Sequence, residues 1–299
     1  MRSERSGGAD PAEDAYSAVR DRLFGIAYRM TGSVADAEDI CQESWLRWQR
    51  VDHPAVDNPE AYLVRITTRL AIDRSTTAHA RRETYPGPYL PEPILEGALA
   101  DSQPEVAAEL ADSLTFAFLV MLDELNPQER AAFLLREVFG YGYDDIASAI
   151  DKSSEAVRQI VSRTRRKLDV ERVDVRRADP DHERHMLESM VGALLSGDAA
   201  ALMELLSPDV VHLGDGGANR HAGRRPVVGP DRVARMLVNL AKRPEPGTTL
   251  EFARVNGTAA IVLRVDGRPD FVQTVEFAPD GRIRRMFGQL NPDKLGHLS

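Results

Sequence analysis

Residues 143–158 decide the fold of the middle of the chain, and they read Tyr143-Asp144-Asp145-Ile146-Ala147-Ser148-Ala149-Ile150-Asp151-Lys152-Ser153-Ser154-Glu155-Ala156-Val157-Arg158. The spacing predicts a short helix with Ile146, Ala147 and Ile150 facing inward. A polar turn follows, and Ser153 or Ser154 is the expected N-cap of a second helix. Two helices joined by such a turn are typical of a helix-turn-helix unit.

The second helix of this unit has two faces when it is rotated by ~100° per residue. The packed face is predicted to hold Val157, Ile160, Val161, Thr164 and Leu168. The opposite face and its flanks are expected to contact DNA through Ser154, Glu155, Arg158, Gln159, Ser162, Arg163 and Arg166. In this motif the second helix enters the major groove, where N-terminal side chains meet base edges and basic residues neutralise phosphates. The alternative interpretation is an ordinary solvated helix face.

Charge is unevenly distributed along the 299 residues, which carry 38 Lys and Arg against 47 Asp and Glu, for a net charge of −9. Residues 90–129 alone contain nine acidic residues and no Lys or Arg. Residues 152–168 instead contain six basic residues and one acidic residue. The acidic total is therefore compatible with a basic surface on the helix-turn-helix unit.

The sequence contains one cysteine, Cys41. A single cysteine excludes an intramolecular disulfide and a Cys-rich zinc site. Neither a signal peptide nor an apolar run long enough to span a bilayer is present. We therefore expect a cytoplasmic protein with no membrane contact, no metal and no cofactor. Cys41 itself is predicted to be a buried structural thiol.

Composition divides the chain into several segments. Five prolines and two glycines in residues 84–104 exclude a helix and indicate a linker. The predicted order is a disordered leader (1–14), a helical unit (15–83), the linker (84–104), a second helical unit (105–170), a connector (171–182), a third unit (183–290) and a C-terminal tail (291–299).

The third unit is predicted to be α+β with an antiparallel sheet. Apolar patterns favour helices over Glu183–Leu206 and Asp231–Lys242. The expected strands are Thr249–Val255, Ala259–Val265, Phe271–Phe277 and Ile283–Leu290. Asn256-Gly257, Asp266-Gly267 and Asp280-Gly281 separate these strands and are strong hairpin signals.

Two helices of the first unit offer further surfaces. In the predicted helix Val34–Trp48, the packed positions are Ala37, Ile40, Cys41, Ser44 and Trp48. Asp39, Gln42, Glu43 and Leu46 share the opposite face, which suggests a protein-binding helix or an ordinary surface. In the helix Glu60–Arg82, Arg65 and Arg69 lie beside Tyr62, a combination suited to phosphate contact and base stacking on a separated strand.

The order of these parts resembles a known family. Residues 23–33, 36–43 and 58–63 resemble region 2 of the extracytoplasmic-function sigma factors, and residues 125–130, Gly140-Tyr141 and the helix-turn-helix unit resemble region 4. Three more stretches are similar to the subgroup with a fused C-terminal SnoaL-like domain. They are Tyr89-Leu90-Pro91-Glu92-Pro93, Asp215-Gly216-Gly217-Ala218-Asn219 and Asn291-Pro292-Asp293-Lys294-Leu295. The subgroup usually has Trp at the position of Tyr89, and Gly-Lys in place of Ala218-Asn219.

The resemblance implies a multidomain fold, in which two all-α domains precede an α+β NTF2/SnoaL-like domain. It implies an alternative sigma factor with core RNA polymerase and promoter DNA as partners. The 39/42/43/46 face would dock on the β′ clamp helices, and region 4 would bind the β flap. Asn58, Tyr62, Arg65 and Arg69 would engage the −10 element, and residues 154–166 the −35 element. The acidic stretch 90–129 would thread through polymerase or act as a spacer.

The resemblance also implies regulation in cis by the third unit, through contacts among Tyr89–Pro93, Asp215–Asn219 and Asn291–Leu295. His212, Asp215, His221 and Asp270 are the polar candidates in its cavity. No motif sets two of them in a defined acid/base relation, so we expect no catalysis. A small ligand there is a further expected partner. The alternative is a helix-turn-helix regulator fused to a small-molecule-binding or enzymatic domain.

Overall fold

The computed structural model of the protein describes residues 11–82, 85–96, 114–168, 179–218, 220, 222–242 and 244–298. These residues divide into two units. The first contains most of the N-terminal segment together with residues 125–168, and the second contains residues 85–96, 114–124 and 179–298. Each unit has its own core.

The first unit is entirely helical. Its helices are α1 (Pro11–Ser17), α2 (Arg20–Thr31), α3 (Val34–Trp48), α4 (Pro59–Arg82), α6 (Pro127–Phe133), α7 (Tyr143–Ile150) and α8 (Ser154–Leu168), with a 3₁₀ turn at His53–Ala55 and a π-helical turn at Leu134–Val138. Local capping explains several starts. The Ser33 side chain accepts a hydrogen bond from the Asp36 amide at the start of α3, and Asn126 and Glu129 form a capping box at the start of α6.

The prediction of a disordered leader over residues 1–14 was wrong for its last four residues, which belong to helix α1. Residues 1–10 lie outside the described residues, but residues 11–14 are helical rather than disordered. Ala12 and Tyr16, one turn apart, are both buried. The Trp48 indole Nε1 donates to the Ala12 carbonyl at 2.8 Å, and the Tyr16 hydroxyl donates to the Cys41 carbonyl at 2.8 Å. Tertiary packing therefore orders a segment whose composition alone favours disorder.

The second unit is α+β. Its elements are α5 (Phe116–Leu122), α9 (Pro180–Ser196), α10 (Ala199–Leu205), β1 (Leu206–Asp215), β2 (Val227–Val228), α11 (Pro230–Ala241), β3 (Thr248–Val255), β4 (Thr258–Val265), β5 (Arg268–Phe277), β6 (Ile283–Gln289) and two 3₁₀ turns at Pro292–Lys294 and Gly296–Leu298. The strand order in the sheet is β2-β1-β6-β5-β4-β3. The three predicted hairpin dipeptides all lie at turns, and five of their six residues, all but Asp280, have positive φ.

Three predictions for this unit were wrong in detail. The predicted helix Glu183–Leu206 is two helices, because Gly197 adopts φ +70° and Asp198 caps the second helix. Strand β1 was not predicted, and it pairs in parallel with β6, so the sheet is mixed rather than antiparallel. The first helix begins at Pro180, inside the predicted connector, because Asp179 caps it.

The sheet has a different cover on each face. Helices α9 to α11 pack on one face, against side chains such as Val210, Ile261 and Met286. On the other face, Leu90 of the linker and Phe116 of α5 pack against Phe287, and Leu295 and Leu298 of the C-terminal tail pack near Val272. Linker, α5 and tail are therefore part of the core of the second unit, which positions the linker site described below.

Candidate nucleic-acid interface and linker site

The helix-turn-helix unit consists of α7 and α8. Ile146, Ala147 and Ile150 of α7 are buried. The Ser153 hydroxyl oxygen accepts a hydrogen bond from the Ala156 amide at 3.2 Å, so Ser153 is the residue that caps α8. On α8 the predicted packed positions Val157, Val161, Thr164 and Leu168 are buried, and Ile160 is half-buried.

The opposite face of α8 is open. The side chains predicted to contact DNA are exposed, with Ser154 half-buried; they are Glu155, Arg158, Gln159, Ser162, Arg163 and Arg166. The Arg158 guanidinium carbon lies 5.1 Å from the centroid of the Tyr143 ring. Arg163 pairs with Glu129 at 2.9 Å, so part of the positive charge on this helix is balanced from α6. The geometry fits a helix that presents polar side chains to a groove.

Helix α3 has one buried face and one exposed face, and the two sets of residues predicted for them lie on those faces. Its buried residues are Ala37, Ile40, Cys41, Ser44 and Trp48. Asp39, Gln42 and Leu46 are exposed, and Glu43 is half-exposed and pairs with Arg47 at 2.8 Å. Leu46 keeps 39% of its surface exposed. Burial raises the pKa of the Cys41 thiol to about 12, which makes it an unreactive structural residue.

The remaining predicted nucleic-acid residues lie at the start of α4. The Asn58 side chain accepts a hydrogen bond from the Ala61 amide at 3.0 Å and so caps the helix. Tyr62 packs on Trp48, with ring centroids 5.7 Å apart, and the Arg65 guanidinium lies 5.0 Å from the Tyr62 ring centroid. The Arg69 guanidinium donates to the carbonyls of Ser148 and Ala149 in α7. Arg69 is thus already hydrogen-bonded within the protein.

A buried carboxylate, Asp215, holds the linker. Its Oδ1 accepts hydrogen bonds from the Tyr85 hydroxyl at 2.5 Å and the Gly217 amide at 3.0 Å. Its Oδ2 accepts from the Leu90 amide at 2.9 Å and from Lys294 Nζ at 2.8 Å. Only 1% of Asp215 is exposed. The single carboxylate therefore joins the linker, the end of β1 and the C-terminal tail.

Lys294 completes this site. Its ammonium group also donates to the Leu90 carbonyl at 2.5 Å, and it lies 3.1 Å from the centroid of the Tyr89 ring. Asn291 donates from Nδ2 to the Tyr85 hydroxyl at 2.9 Å, while its Oδ1 accepts from the Asp293 amide and caps the first 3₁₀ turn. We call the cluster of Tyr85, Tyr89, Asp215, Asn291 and Lys294 the linker site.

The rest of the linker follows the sheet. The Pro91 carbonyl accepts from Gln289 Nε2 at 3.1 Å, and the Pro93 carbonyl lies 2.6 Å from His297 Nε2. Ile94 exchanges hydrogen bonds with Asn256, through its amide to Asn256 Oδ1 and its carbonyl to the Asn256 amide. Pro91 and Pro93 are buried, and Glu92 is half-buried. The structure thus brings together Tyr89–Pro93, Asp215 and Asn291–Leu295.

Comparisons with known proteins show the family of this chain. The family model Sigma-70 region 2 matches residues 15–82, and the model Sigma-70, region 4 matches residues 115–168. The extracytoplasmic-function RNA polymerase sigma factor SigJ of Mycobacterium tuberculosis is 35% identical over 93% of this chain and 91% of its own length. This chain belongs to the extracytoplasmic-function sigma factors.

Two further comparisons extend the likeness to the whole chain. The crystal structure of M. tuberculosis SigJ matches with a TM-score of 0.74 and 33% identity, over 94% of this chain and 97% of that one. A probable sigma factor of the same organism, SigI, is 31% identical over 86% of each chain. This sigma factor therefore directs transcription initiation with core RNA polymerase at promoter DNA, and it carries a fused C-terminal domain like that of SigJ.

Sequence reasoning missed three residues of this sigma factor that belong to the linker or bind it. Tyr85, Gln289 and Asn256 were not predicted, although each binds the linker or is part of it. Tyr85 stands four residues before Tyr89 inside the proline-rich stretch, and an aromatic pair there was the available signal. Gln289 ends strand β6 and has no local pattern that distinguishes it. Asn256 lies in a predicted hairpin turn, but the turn pattern does not indicate that its side chain binds the linker.

The two glycines after Asp215 lie close to neighbouring atoms. A Cβ at Gly216 would lie 2.5 Å from the Arg220 carbonyl oxygen, and one at Gly217 would lie 2.7 Å from Asn291 Cγ. Gly217 also has φ +62°. Glycine is therefore required at both positions for the turn to fit beside the tail. Asn219 lies outside the described residues.

The polar candidates of the C-terminal domain that the structure describes make separate contacts. His212 lies 3.3 Å from Gln273 Oε1, Asp215 is in the linker site, and Asp270 pairs with Arg220. His221 lies outside the described residues. Among the residues that the structure describes, no cluster of His, Cys, Asp and Glu could hold a metal ion, and no helix is long and apolar enough to cross a membrane.

Acid should destabilise the C-terminal domain through His212. Burial lowers the pKa of His212 to about 4 from 6.5. Between these values the unfolded chain binds more protons than the folded chain, so stability is lost as pH falls from 6.5 to about 4. Between pH 6.5 and about 4, the free energy of unfolding should fall by on the order of 2–3 kcal/mol less in His212→Gln than in the unsubstituted protein. Urea unfolding at the two pH values measures the difference. The exposed His185→Gln is the control for loss of a histidine side chain, and an equal effect of both variants on the pH dependence would contradict the prediction.

Proposed function

We propose that this sigma factor recognises promoters through α4 and α8, binds core polymerase through α3, and is regulated in cis through the linker site. The observation that carries the regulatory part is the Asp215 carboxylate, which ties Tyr85 and Leu90 of the linker to Lys294 of the tail. The linker joins the two DNA-binding regions, so a domain that binds it constrains both. The sequence stretches special to the subgroup all contribute to this cluster.

Core polymerase is proposed to bind α3. An exposed leucine flanked by Asp39, Gln42 and Glu43 suits a basic helical partner with an apolar contact point, such as the β′ clamp helices. Region 4 is proposed to bind the β flap. Sigma factors act with RNA polymerase in the cytoplasm, and we place this one there on the same ground.

Promoter DNA is proposed to be read in two ways. Helix α8 presents Arg158 and Gln159 near its N-terminal half, where side chains reach base edges in duplex DNA, and this suits the −35 element. Tyr62 with Arg65 and Arg69 combines an aromatic ring with cations, which suits the separated strand of the −10 element. Asn58 caps the helix that carries them.

The C-terminal domain is proposed to regulate rather than to catalyse. Two of the polar residues predicted for its cavity make other contacts. Asp215 binds the linker, and Asp270 is paired with Arg220. The lowered pKa of His212 keeps this imidazole neutral, and its observed polar contact is the Gln273 amide rather than an acid. A small ligand in this domain stays a prediction, with His212 and Gln273 as the polar groups available to it.

Reconstitution with core RNA polymerase tests the proposal. The purified chain should bind core enzyme and direct initiation from a promoter selected out of genomic fragments. A conventional helix-turn-helix regulator would instead footprint that DNA alone and leave core unaffected. Failure to bind core, together with failure to direct transcription from any fragment, would overturn the proposal.

Two variants of α8 distinguish a contact to a base of the −35 element from a contact to a phosphate. Arg158→Ala should weaken binding to the cognate −35 duplex by ~1–3 kcal/mol, because a bidentate contact to a base is lost. Arg166→Ala should weaken binding to cognate and scrambled duplexes alike, as loss of a phosphate contact does. Fluorescence anisotropy with holoenzyme measures both. Equal losses on the two duplexes for Arg158→Ala would make that residue a phosphate contact.

Core binding can be tested on α3. Leu46→Asp should impair holoenzyme assembly without unfolding the first unit, because Leu46 is exposed while the buried face of the helix is unchanged. Assembly is measured by co-elution with core, and folding by thermal denaturation. The exposed variant Ala18→Asp, outside α3, introduces the same charge and is the control for a general surface effect. Unimpaired assembly of Leu46→Asp would remove this residue from the core-binding surface.

A further inference from the structure

Two guanidinium groups lie over the ring of Tyr143, the first residue of α7. The guanidinium carbon of Arg136 is 4.6 Å from the ring centroid, and that of Arg158 is 5.1 Å from it. A cation within about 6 Å of an aromatic centroid is attracted by the electrons of the ring face. Arg158 projects from the proposed DNA-reading face of α8, so its exposed side chain is held by a residue of the other helix.

The Tyr143 ring has supports outside α8. Arg136 belongs to the π-helical turn before α7, and its Nη1 donates to the Tyr141 carbonyl at 3.0 Å. That hydrogen bond fixes one of the guanidinium groups that lie over the ring. The Ile146 amide donates to the Gly142 carbonyl at 3.1 Å and closes the first turn of α7, so the backbone on either side of Tyr143 is fixed as well. The position of the ring is therefore set independently of α8.

A second contact joins the starts of the two helices. Ser154, the first residue of α8, donates from its hydroxyl to the carboxylate of Asp144. Arg158 stands one helical turn after Ser154, on the same side of α8. Consecutive residues of α7, Tyr143 and Asp144, thus bind side chains that are one turn apart on α8. These two contacts fix the rotation of α8 about its axis, and with it the direction in which the Arg158 side chain leaves the helix.

Two other arginines of α8 are held in a different way. Arg163 pairs with Glu129 at 2.9 Å, and Arg165 pairs with Glu137 at 3.5 Å. Both contacts place a negative charge beside the guanidinium group, and that charge competes with a DNA phosphate. A tyrosine ring has no net charge, so its contact with Arg158 leaves the positive charge and the N–H donors available to DNA. The ring thus restrains Arg158 without neutralising it.

We propose that Tyr143 is a positioning residue for promoter recognition, whose ring holds the Arg158 guanidinium in the orientation that reaches a base edge of the −35 element. This inference rests on the proposed base contact of Arg158. A guanidinium group reads a guanine through a pair of hydrogen bonds, which require its plane to be aligned with the base. An arginine that is already restrained loses less side-chain freedom when it forms them. Tyr143 therefore raises affinity for the cognate sequence and adds little on a sequence that offers Arg158 no paired acceptors.

Aromatic and non-aromatic replacements of Tyr143 test this role. Tyr143→Leu should lower the affinity of holoenzyme for the cognate −35 duplex by about two- to fivefold, the range of one cation–π contact at an exposed site. Its affinity for the scrambled duplex should be unchanged. Tyr143→Phe should keep the cognate affinity, because the ring rather than the hydroxyl makes both guanidinium contacts. Fluorescence anisotropy measures the affinities, and thermal denaturation checks that each variant is folded. Equal losses of cognate affinity for the two variants would overturn the inference.

A ring of unchanged shape separates the electrostatic contact from packing. Pentafluorophenylalanine in place of Tyr143 keeps an aromatic ring of nearly the same size as that of phenylalanine, but the charge distribution of the ring face is reversed and repels a cation. We expect this replacement to lower the cognate affinity as much as Tyr143→Leu does. A cognate affinity equal to that of Tyr143→Phe would show that the ring acts by packing, and would overturn the inference. The comparison stays decisive even if Tyr143→Leu does not fold.

A double variant shows whether Tyr143 acts through Arg158. In the Arg158→Ala background, Tyr143→Leu should cause no further loss on the cognate duplex, because the group that the ring positions is absent. A further loss equal to that of Tyr143→Leu alone would mean that the ring acts through another group, and would contradict the inference.

Failure of the proposed function gives a different result. Arg158→Ala would then weaken binding to the cognate and scrambled duplexes equally, and the inference would fall with it. A cognate-selective loss for Arg158→Ala, with none for Tyr143→Leu, would contradict the inference alone and leave the base contact of Arg158 in place.

Discussion

Replacing Lys294 by methionine is expected to destabilise the C-terminal domain by about 3–5 kcal/mol and to release the linker. The Lys294 side chain is 6% exposed and that of its partner Asp215 is fully buried, so the variant leaves a buried carboxylate without its counter-charge. Urea unfolding measures the loss of stability, and protease cleavage within residues 85–96 reports release of the linker.

The matched control for this prediction is Arg284→Met. Arg284 pairs with Asp209 at 3.1 Å, but both side chains are largely exposed. Arg284→Met should therefore lower the free energy of unfolding by less than ~1 kcal/mol. Adding Asp215→Asn to Lys294→Met should recover part of the stability, because the unpaired charge is then removed. Equal losses for Lys294→Met and Arg284→Met would show that the linker site contributes no more than a surface pair.

Deleting residues 291–299 is expected to raise promoter activity severalfold. The deletion removes Lys294 and Asn291 from the linker site and the buried Leu295 and Leu298 from the core. A tether keeps a weak contact at an effective concentration of about millimolar, so loss of the contact groups frees the linker even though the domain remains attached. Transcription with core enzyme, at equal protein levels, measures the effect. The exposed variant Glu204→Ala on α10, outside every proposed contact, should leave promoter activity unchanged.

Removing the whole domain from Glu183 should have the opposite result and abolish promoter activity. Phe116 of α5 lies within the region 4 match, and its ring packs 6.1 Å from that of Phe287. Removal of the sheet therefore exposes the apolar side of α5 and Leu90 to water. Transcription that is unaffected by either truncation would contradict regulation in cis.

The sequence by itself determined the features that depend on neighbours a few residues away. Three such features are a cap at Ser153 or Ser154, the buried face of α3, and the turns at Asn256-Gly257 and Asp266-Gly267. They follow from side-chain hydrogen bonds, helical periodicity and positive φ. Each is formed within a single element or turn. The resemblance to the family supplied the sets of residues that later proved to be neighbours, namely the linker, Asp215 and the tail.

Only the tertiary structure decided which distant groups meet. Strand β1 follows directly after a helix and pairs in parallel with β6, more than 70 residues later. Arg69 meets α7 across 80 residues, and Lys294 reaches Leu90 across 204. No local pattern encodes such pairs, because they arise from the route of the chain and from the burial of polar groups that must then find partners. Local periodicity therefore predicts the faces of the helices, and the fold selects what each face contacts.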